Sequence, residues 1–212
     1  MKKVIALCLL CSILCADPIY KSKDYSNLYK MEGFTKSMLE LHFKLYQGYV
    51  QTTNTLNEKL EELSKNGGDR TLEYAGFKRM YGWEYDGMRL HEYYFENLGG
   101  NGKLDSKTAL YRKIIHDYGS FDKWKQDFIA TGMMRGIGWS ILYFDKKSGK
   151  LTNAWINEHD LGHLAGNTTI LVMDVFEHAY ITHYGIDRAA YIKAFFKNID
   201  WDMCATRFKD AN

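Results

Sequence analysis

The chain has one proline in 212 residues, and three of its four cysteines fall within the first fifteen. So little proline, with 15% aromatic and 46% hydrophobic residues, excludes a collagen-like repeat, a mucin-like stalk and a disordered tail. Beyond residue 15 only Cys204 remains, so stability there must come from packing or a bound metal. No sign of charge dominates either: 28 Lys and Arg face 26 Asp and Glu, which gives no electrostatic warrant for nucleic-acid binding. No apolar run is long enough to span a bilayer. There is no internal repeat, phosphate loop or dinucleotide fingerprint, and Asn167-Thr168-Thr169 is only a formal glycosylation site. What is present is a folded globular protein.

The first sixteen residues, MKKVIALCLLCSILCA, carry two lysines and then an apolar run that meets Asp17 and Pro18. This is the layout of a secretory signal peptide, with cleavage expected after Ala16 and a periplasmic or extracellular location. Leu14 is bulky for a position three before the cut. A lipid on Cys15 would be the one tie to a membrane, and an apolar N-terminal helix of the mature fold is the alternative. Removal takes Lys2 and Lys3 and leaves 26 basic residues against 26 acidic ones.

From Thr35 a helical pattern begins, with Met38, Leu39, His42, Leu45, Tyr46 and Tyr49 at spacings of three and four, continued by Leu56, Leu60 and Leu63. The run 65–69 (KNGGD) is a stop and turn. A second helix is expected over 74–98, interrupted or bent near Gly82 and Gly87 and closed by the glycines at 99, 100 and 102. Shorter helices are expected over 106–116 and 120–131. Strands follow at 139–144 and 151–156 around a hairpin turn, with a buried strand at 170–175. Helical patterns then cover 176–184, 191–197 and 201–208. The fold class is therefore α+β: an N-terminal helical hairpin (17–102) packed on a C-terminal α/β domain (103–212) with a small three-stranded antiparallel sheet.

Seven histidines occur. The informative stretch is 173–180 (MDVFEHAY), where a carboxylate ends an apolar strand and a histidine follows four residues later. Carboxylate oxygen and imidazole nitrogen both ligate first-row metals, and one strand-to-helix corner can aim both at a single ion. His42 and His91, each in the middle of a patterned helix among aromatic neighbours, could complete the shell. A helical histidine packed among aromatics serves equally well as a core residue with one satisfied nitrogen.

Asp174-Val175-Phe176-Glu177-His178-Ala179-Tyr180 resembles the signature of the iron/manganese superoxide dismutases, which normally has tryptophan where Phe176 stands. The resemblance runs on through Arg188, Tyr191, Phe195, Asn198 and Trp201, and back through Gly136, Gly138 and Trp139. The run 90–95 (LHEYYF) resembles the helix of the second ligand, and 42–50 that of the first. The resemblance implies His42, His91, Asp174 and His178 as ligands of one iron or manganese ion per subunit, with a water or hydroxide as fifth ligand. It implies Tyr49 as the tyrosine of the substrate funnel, and Trp139 and Phe176 as an aromatic shell. Superoxide is the implied substrate, and a homodimer is implied in which Glu177 holds the partner's His178. Val172, two places before Asp174, leans the metal towards iron.

Departures from the family pattern matter too. Family members usually place seven residues between the first ligand and the funnel tyrosine; here six separate His42 from Tyr49. Seven steps rotate an α-helix by about 700° and eight by about 800°, so seven keeps the pair on one face of an unbroken helix and a π-bulge is deleted. The family's interface histidine would fall at Leu45 or Tyr46 and its tyrosine partner at Ile181, so both are lost. Gly87 cannot supply the amide that usually touches the metal-bound solvent. The run 156–160 (INEHD) resembles a branch, including many archaeal enzymes, with histidine in that role, so His159 is expected to donate to the metal-bound solvent, with His163 as competitor. His116 and His183 are expected to be ordinary surface or interface residues. The competing classes are a catalytically weak or inactive metal-binding or structural protein that keeps the fold, and a di-iron oxygenase, for which the required Glu-x-x-His pairs are missing.

Overall fold

The computed structural model describes residues 18–211. The first sixteen residues, read above as a signal peptide, with the cysteines at 8, 11 and 15, lie outside the described residues. After a 3-10 turn over Ser26–Lys30, helix α1 (Lys36–Lys65) starts where the Thr35 hydroxyl accepts from the backbone N–H of Met38, an N-cap. Its buried residues, including Met38, Leu39, His42, Tyr46 and Val50, recur at three and four and so form one stripe. The turn closes as the Gly68 amide donates to the Leu63 carbonyl at 2.7 Å. Thr71 then caps α2 (Leu72–Glu96).

Of the interruption or bend expected near Gly82 and Gly87, the interruption does not occur: helix α2 is unbroken through both. Gly87 provides space: a Cβ there would lie 2.8 Å from the Tyr49 ring. Burial in α2 begins only at Gly87, so the C-terminal end of the helix is the part packed into the core.

Helices α3 (Ala109–Tyr118) and α4 (Phe121–Gly132) are capped by Thr108 and Ser120. The first begins three residues later than expected, because Thr108 acts as its cap. Strands β1 (Gly138–Asp145), β2 (Lys150–Asn157) and β3 (Thr168–Asp174) form an antiparallel sheet of order β2-β1-β3. The outer edge of β3 is paired by a side chain: Asn97 accepts from the Val172 amide at 2.8 Å and donates to its carbonyl at 3.2 Å. That contact ties β3 to the end of α2.

The helix expected over 176–184 is instead a 3-10 turn (Glu177–Ala179) and a single turn, α5 (Ile181–Tyr184). Asp174 prevents an earlier start, since its Oδ1 accepts from the Phe176 amide at 2.8 Å and its Oδ2 faces His178. Helices α6 (Arg188–Lys197) and α7 (Trp201–Ala211) close the core. Cys204 is free and buried, its thiol pushed up to about 12 by burial. Among the described residues no helix is long and apolar enough to cross a membrane.

Candidate metal centre

Three elements converge beneath the sheet: α1 brings His42, α2 brings His91, and the end of β3 with its turn brings Asp174 and His178. Their ligand atoms all lie within 4.8 Å of one another. From Asp174 Oδ2, the Nε2 atoms of His178, His42 and His91 stand at 3.0, 3.1 and 3.7 Å. Donors held about 2.0–2.2 Å from a first-row ion are about 3–4 Å apart, so this spacing suits one ion.

The environment sets the protonation states. The Gly87 carbonyl can only accept, so His91 donates Nδ1–H to it at 2.6 Å and keeps a bare Nε2, the tautomer a metal requires. That Nε2 is buried with no hydrogen-bond partner. An orphaned lone pair there costs free energy unless a cation meets it, and the donor set therefore fits a metal. Burial favours the neutral form of His91 and of His42, lowering both. Burial alone would raise the Asp174 carboxyl, but His178 and His42 outweigh it and hold the group well below the ordinary carboxylate range. The backbone of Asp174 is fixed by Tyr191, whose hydroxyl donates to its carbonyl at 2.7 Å and is in turn bonded to Tyr94.

A second layer of rings surrounds this set. Phe176 stacks on His178 at 5.0 Å and on His159 at 4.7 Å, and Trp139 meets His91 edge-on at 5.0 Å. Tyr49 lies 5.2 Å from the His91 ring, and α1 shows no π turn between His42 and Tyr49. Burial raises the Tyr49 hydroxyl, helped by the charge of Asp174.

His159 is fully buried. The Trp139 indole N–H donates to its Nδ1 at 3.1 Å. Since an indole cannot accept, the neutral ring carries its proton on Nε2, and burial keeps it neutral by lowering its pKa to about 4. That Nε2 stands 2.7 Å from Tyr49 Oη. The single N–H of His159 is therefore given to Tyr49, where the sequence pointed to direct donation towards the metal-bound solvent. His163 faces away from the cluster, towards Tyr143 and the His159 backbone.

Tyr46 points inwards: its hydroxyl donates to Glu92 at 3.0 Å, and Glu92 is also held by Arg89 at 2.6 Å. Sequence reasoning missed this anchor beside His91, although a glutamate amid the apolar run 90–95 was a signal for it. It also missed Trp83, edge-on to His159 at 4.6 Å. Glu177 and Ile181 are exposed, as is His183, and His116 lies at the surface against Asp117.

A family model described as iron/manganese superoxide dismutases, C-terminal domain, matches residues 106–207. An iron superoxide dismutase of Cupriavidus metallidurans is 37% identical over 186 residues, 86% of this chain and 92% of that one. One from Aquifex pyrophilus is 37% identical over 196 residues, 89% and 91% of the two chains. A manganese superoxide dismutase of Haloferax volcanii is 35% identical over 170 residues, 80% and 84%. Similarity at this level along nearly the whole length of both chains, added to four ligands gathered from three elements, means that the chain belongs to the iron/manganese superoxide dismutase family.

Proposed function

We propose that the protein disproportionates superoxide, two anions and two protons giving dioxygen and hydrogen peroxide, at one iron or manganese ion held by His42, His91, Asp174 and His178. The observation that carries this reading is the convergence of three Nε2 atoms on Asp174 Oδ2, one of them buried and unpartnered. The ion would supply one-electron chemistry, alternating between trivalent and divalent states. Three neutral imidazoles and one carboxylate leave it a net positive charge that attracts a small anion. The rings of Phe176, Trp139 and Tyr49 limit the space around it and lower the local dielectric. Because the Nε2 proton of His159 is committed to Tyr49, the proton this pair presents to the site is that of the tyrosine hydroxyl.

Iron is our reading for the ion, resting on Val172. Metal analysis with superoxide turnover, on protein purified from its native cells, tests both points. Iron with turnover is expected, manganese with turnover would overturn only the choice of ion, and metal-free inactive protein would favour the structural alternative. We also read the first sixteen residues as an export signal. Superoxide crosses membranes poorly, so an exported enzyme would meet the anion formed outside the cytoplasm, and N-terminal sequencing of the native protein should begin at Asp17.

A homodimer is the third part of the proposal. The Glu177 carboxylate is exposed and has no partner among the described residues, beside a His178 side chain that is 28% exposed. Leu41, next to His42, and Ile181, three residues after His178, expose about half of their surface. A second copy seated here would bury that apolar face and let Glu177 accept from the partner's His178. Losing one such buried bond costs about 1–3 kcal/mol, and a two-fold dimer has two. Sedimentation of Glu177→Ala at low concentration should therefore show mostly monomer with reduced turnover, whereas a tight, fully active dimer would refute the bridge.

A further inference from the structure

We infer that His163 is a positioning residue: it clamps the backbone of the turn that carries His159, and so sets the Tyr49–His159 pair. The inference rests on the role given above to His159.

His159 sits at the tip of a turn that leaves β2, a place where side chains ordinarily meet solvent, yet it is fully buried. Two features turn it inwards. The base of the turn is closed by paired backbone bonds between Asn157 and Leu161, at 2.9 and 3.3 Å. Glu158 has φ 55°, the one described residue other than glycine with a positive φ. A side chain held there is strained and persists only when its surroundings over-determine it. The base bonds do not reach the tip, so something else must hold it.

His163 does so. Its Nε2 lies 2.8 Å from the His159 carbonyl, which can only accept, so Nε2 carries the proton. The bare Nδ1 then accepts from the Tyr143 hydroxyl at 2.7 Å. Tyr143 belongs to β1, four residues on from Trp139, whose indole holds the His159 ring. Strand β1 thus grips His159 twice, through its ring by Trp139 and through its backbone by Tyr143 and His163. The Asp86 carboxylate on α2 stands 3.7 Å from the same Nε2, next to Gly87, which makes room for Tyr49. An unanchored loop histidine would share none of these contacts.

The test is hydrogen exchange across 157–163 in the purified metalloprotein, with its reduction potential and turnover measured in parallel. His163→Ala should speed exchange of the Asn157 and Leu161 amides, which bond across the base of the turn, roughly five- to tenfold, the effect of one net hydrogen bond on a local opening, and should shift the potential. His163→Gln keeps a donor for the carbonyl and should restore much of both. Tyr143→Phe, which leaves His163 in place without its orienting hydroxyl, should show a smaller change in the same segment, and it carries the test if His163→Ala does not fold. Unchanged exchange of the Asn157 and Leu161 amides would overturn the clamp, as would faster exchange spread over the whole chain with no rescue by glutamine. Faster local exchange with potential and turnover unchanged would uphold the clamp and fail instead the role assigned to His159.

Discussion

The corner at 174–178 and the turn at 157–163 both feed the same site, but they are built differently. At the corner the chemistry is contiguous: Asp174 gives one oxygen to the Phe176 amide and the other to His178, all within five residues. At the turn nothing local suffices. His159 is placed by a left-handed Glu158, by Trp139 on β1, by Tyr49 on α1 and by His163 at the far end of the turn. A site made by neighbours in sequence survives as a motif, whereas a site made by backbone conformation and distant partners leaves only a histidine in a polar loop.

The largest expected effect lies at the corner. Asp174→Ala removes the charge on which three Nε2 atoms converge, and should abolish turnover and metal binding together. It should also remove the stabilisation linked to the metal, about 4 kcal/mol where the free ion stands at a thousand times its dissociation constant. Metal content and a thermal melt check this. Full occupancy with normal activity would show that the corner is not the ligand site.

The turn should respond differently, because its residues act through one another. Tyr49→Phe and His159→Ala should each slow turnover, roughly 10²- to 10⁴-fold for loss of proton-transfer chemistry, with the metal retained. If the pair is one unit, the double variant is no slower than the slower single variant. Multiplying effects would mean that His159 donates independently of Tyr49. His159→Gln, which keeps an N–H, should fall between His159→Ala and the parent.

The same contrast accounts for what could be read without coordinates. The stripe on α1, the strand at β3 and the corner were legible because periodicity and i, i+4 spacing are local, and family resemblance tied His42 and His91 to them. The direction of the His159 proton was not legible, since it follows from the indole of Trp139 meeting Nδ1 across the fold. Nor was the use of Gly87. A glycine within a helical pattern signals a break when read locally, yet α2 runs unbroken through it and the space left by the missing Cβ is filled by the Tyr49 ring.

Gly87→Ala sharpens this point, because two effects oppose. Alanine is better in a helix by about 1 kcal/mol, while its Cβ would come within 2.8 Å of Tyr49 and force that ring aside. Stability should therefore change by no more than about 1 kcal/mol, but turnover should fall several-fold as Tyr49 leaves His159. A thermal melt read against turnover checks it, and unchanged turnover would mean that the ring has somewhere else to go without losing its bond.

The last effect that separates the two regions is a dependence on pH, which needs no loss of a bond at neutral pH. Burial lowers the pKa of His159 from the ordinary 6.5 to about 4, so between those values the unfolded chain takes up a proton that the folded chain refuses. The contribution of this residue is fully present above pH 6.5 and is lost as pH falls towards 4, by about 3 kcal/mol at most. His42 and His91 are lowered in the same direction by burial, and acid also releases the metal, so the parent's own slope does not isolate the turn. The difference between parent and His159→Gln does, because glutamine has no proton to gain and both chains share every other group. With chelator-stripped protein, shown to be folded by circular dichroism, the parent should lose more stability than the variant between pH 7 and 4. Parallel curves would mean that His159 takes its proton as readily folded as unfolded. A ring held between an indole donor and a tyrosine cannot do so without breaking one of those bonds.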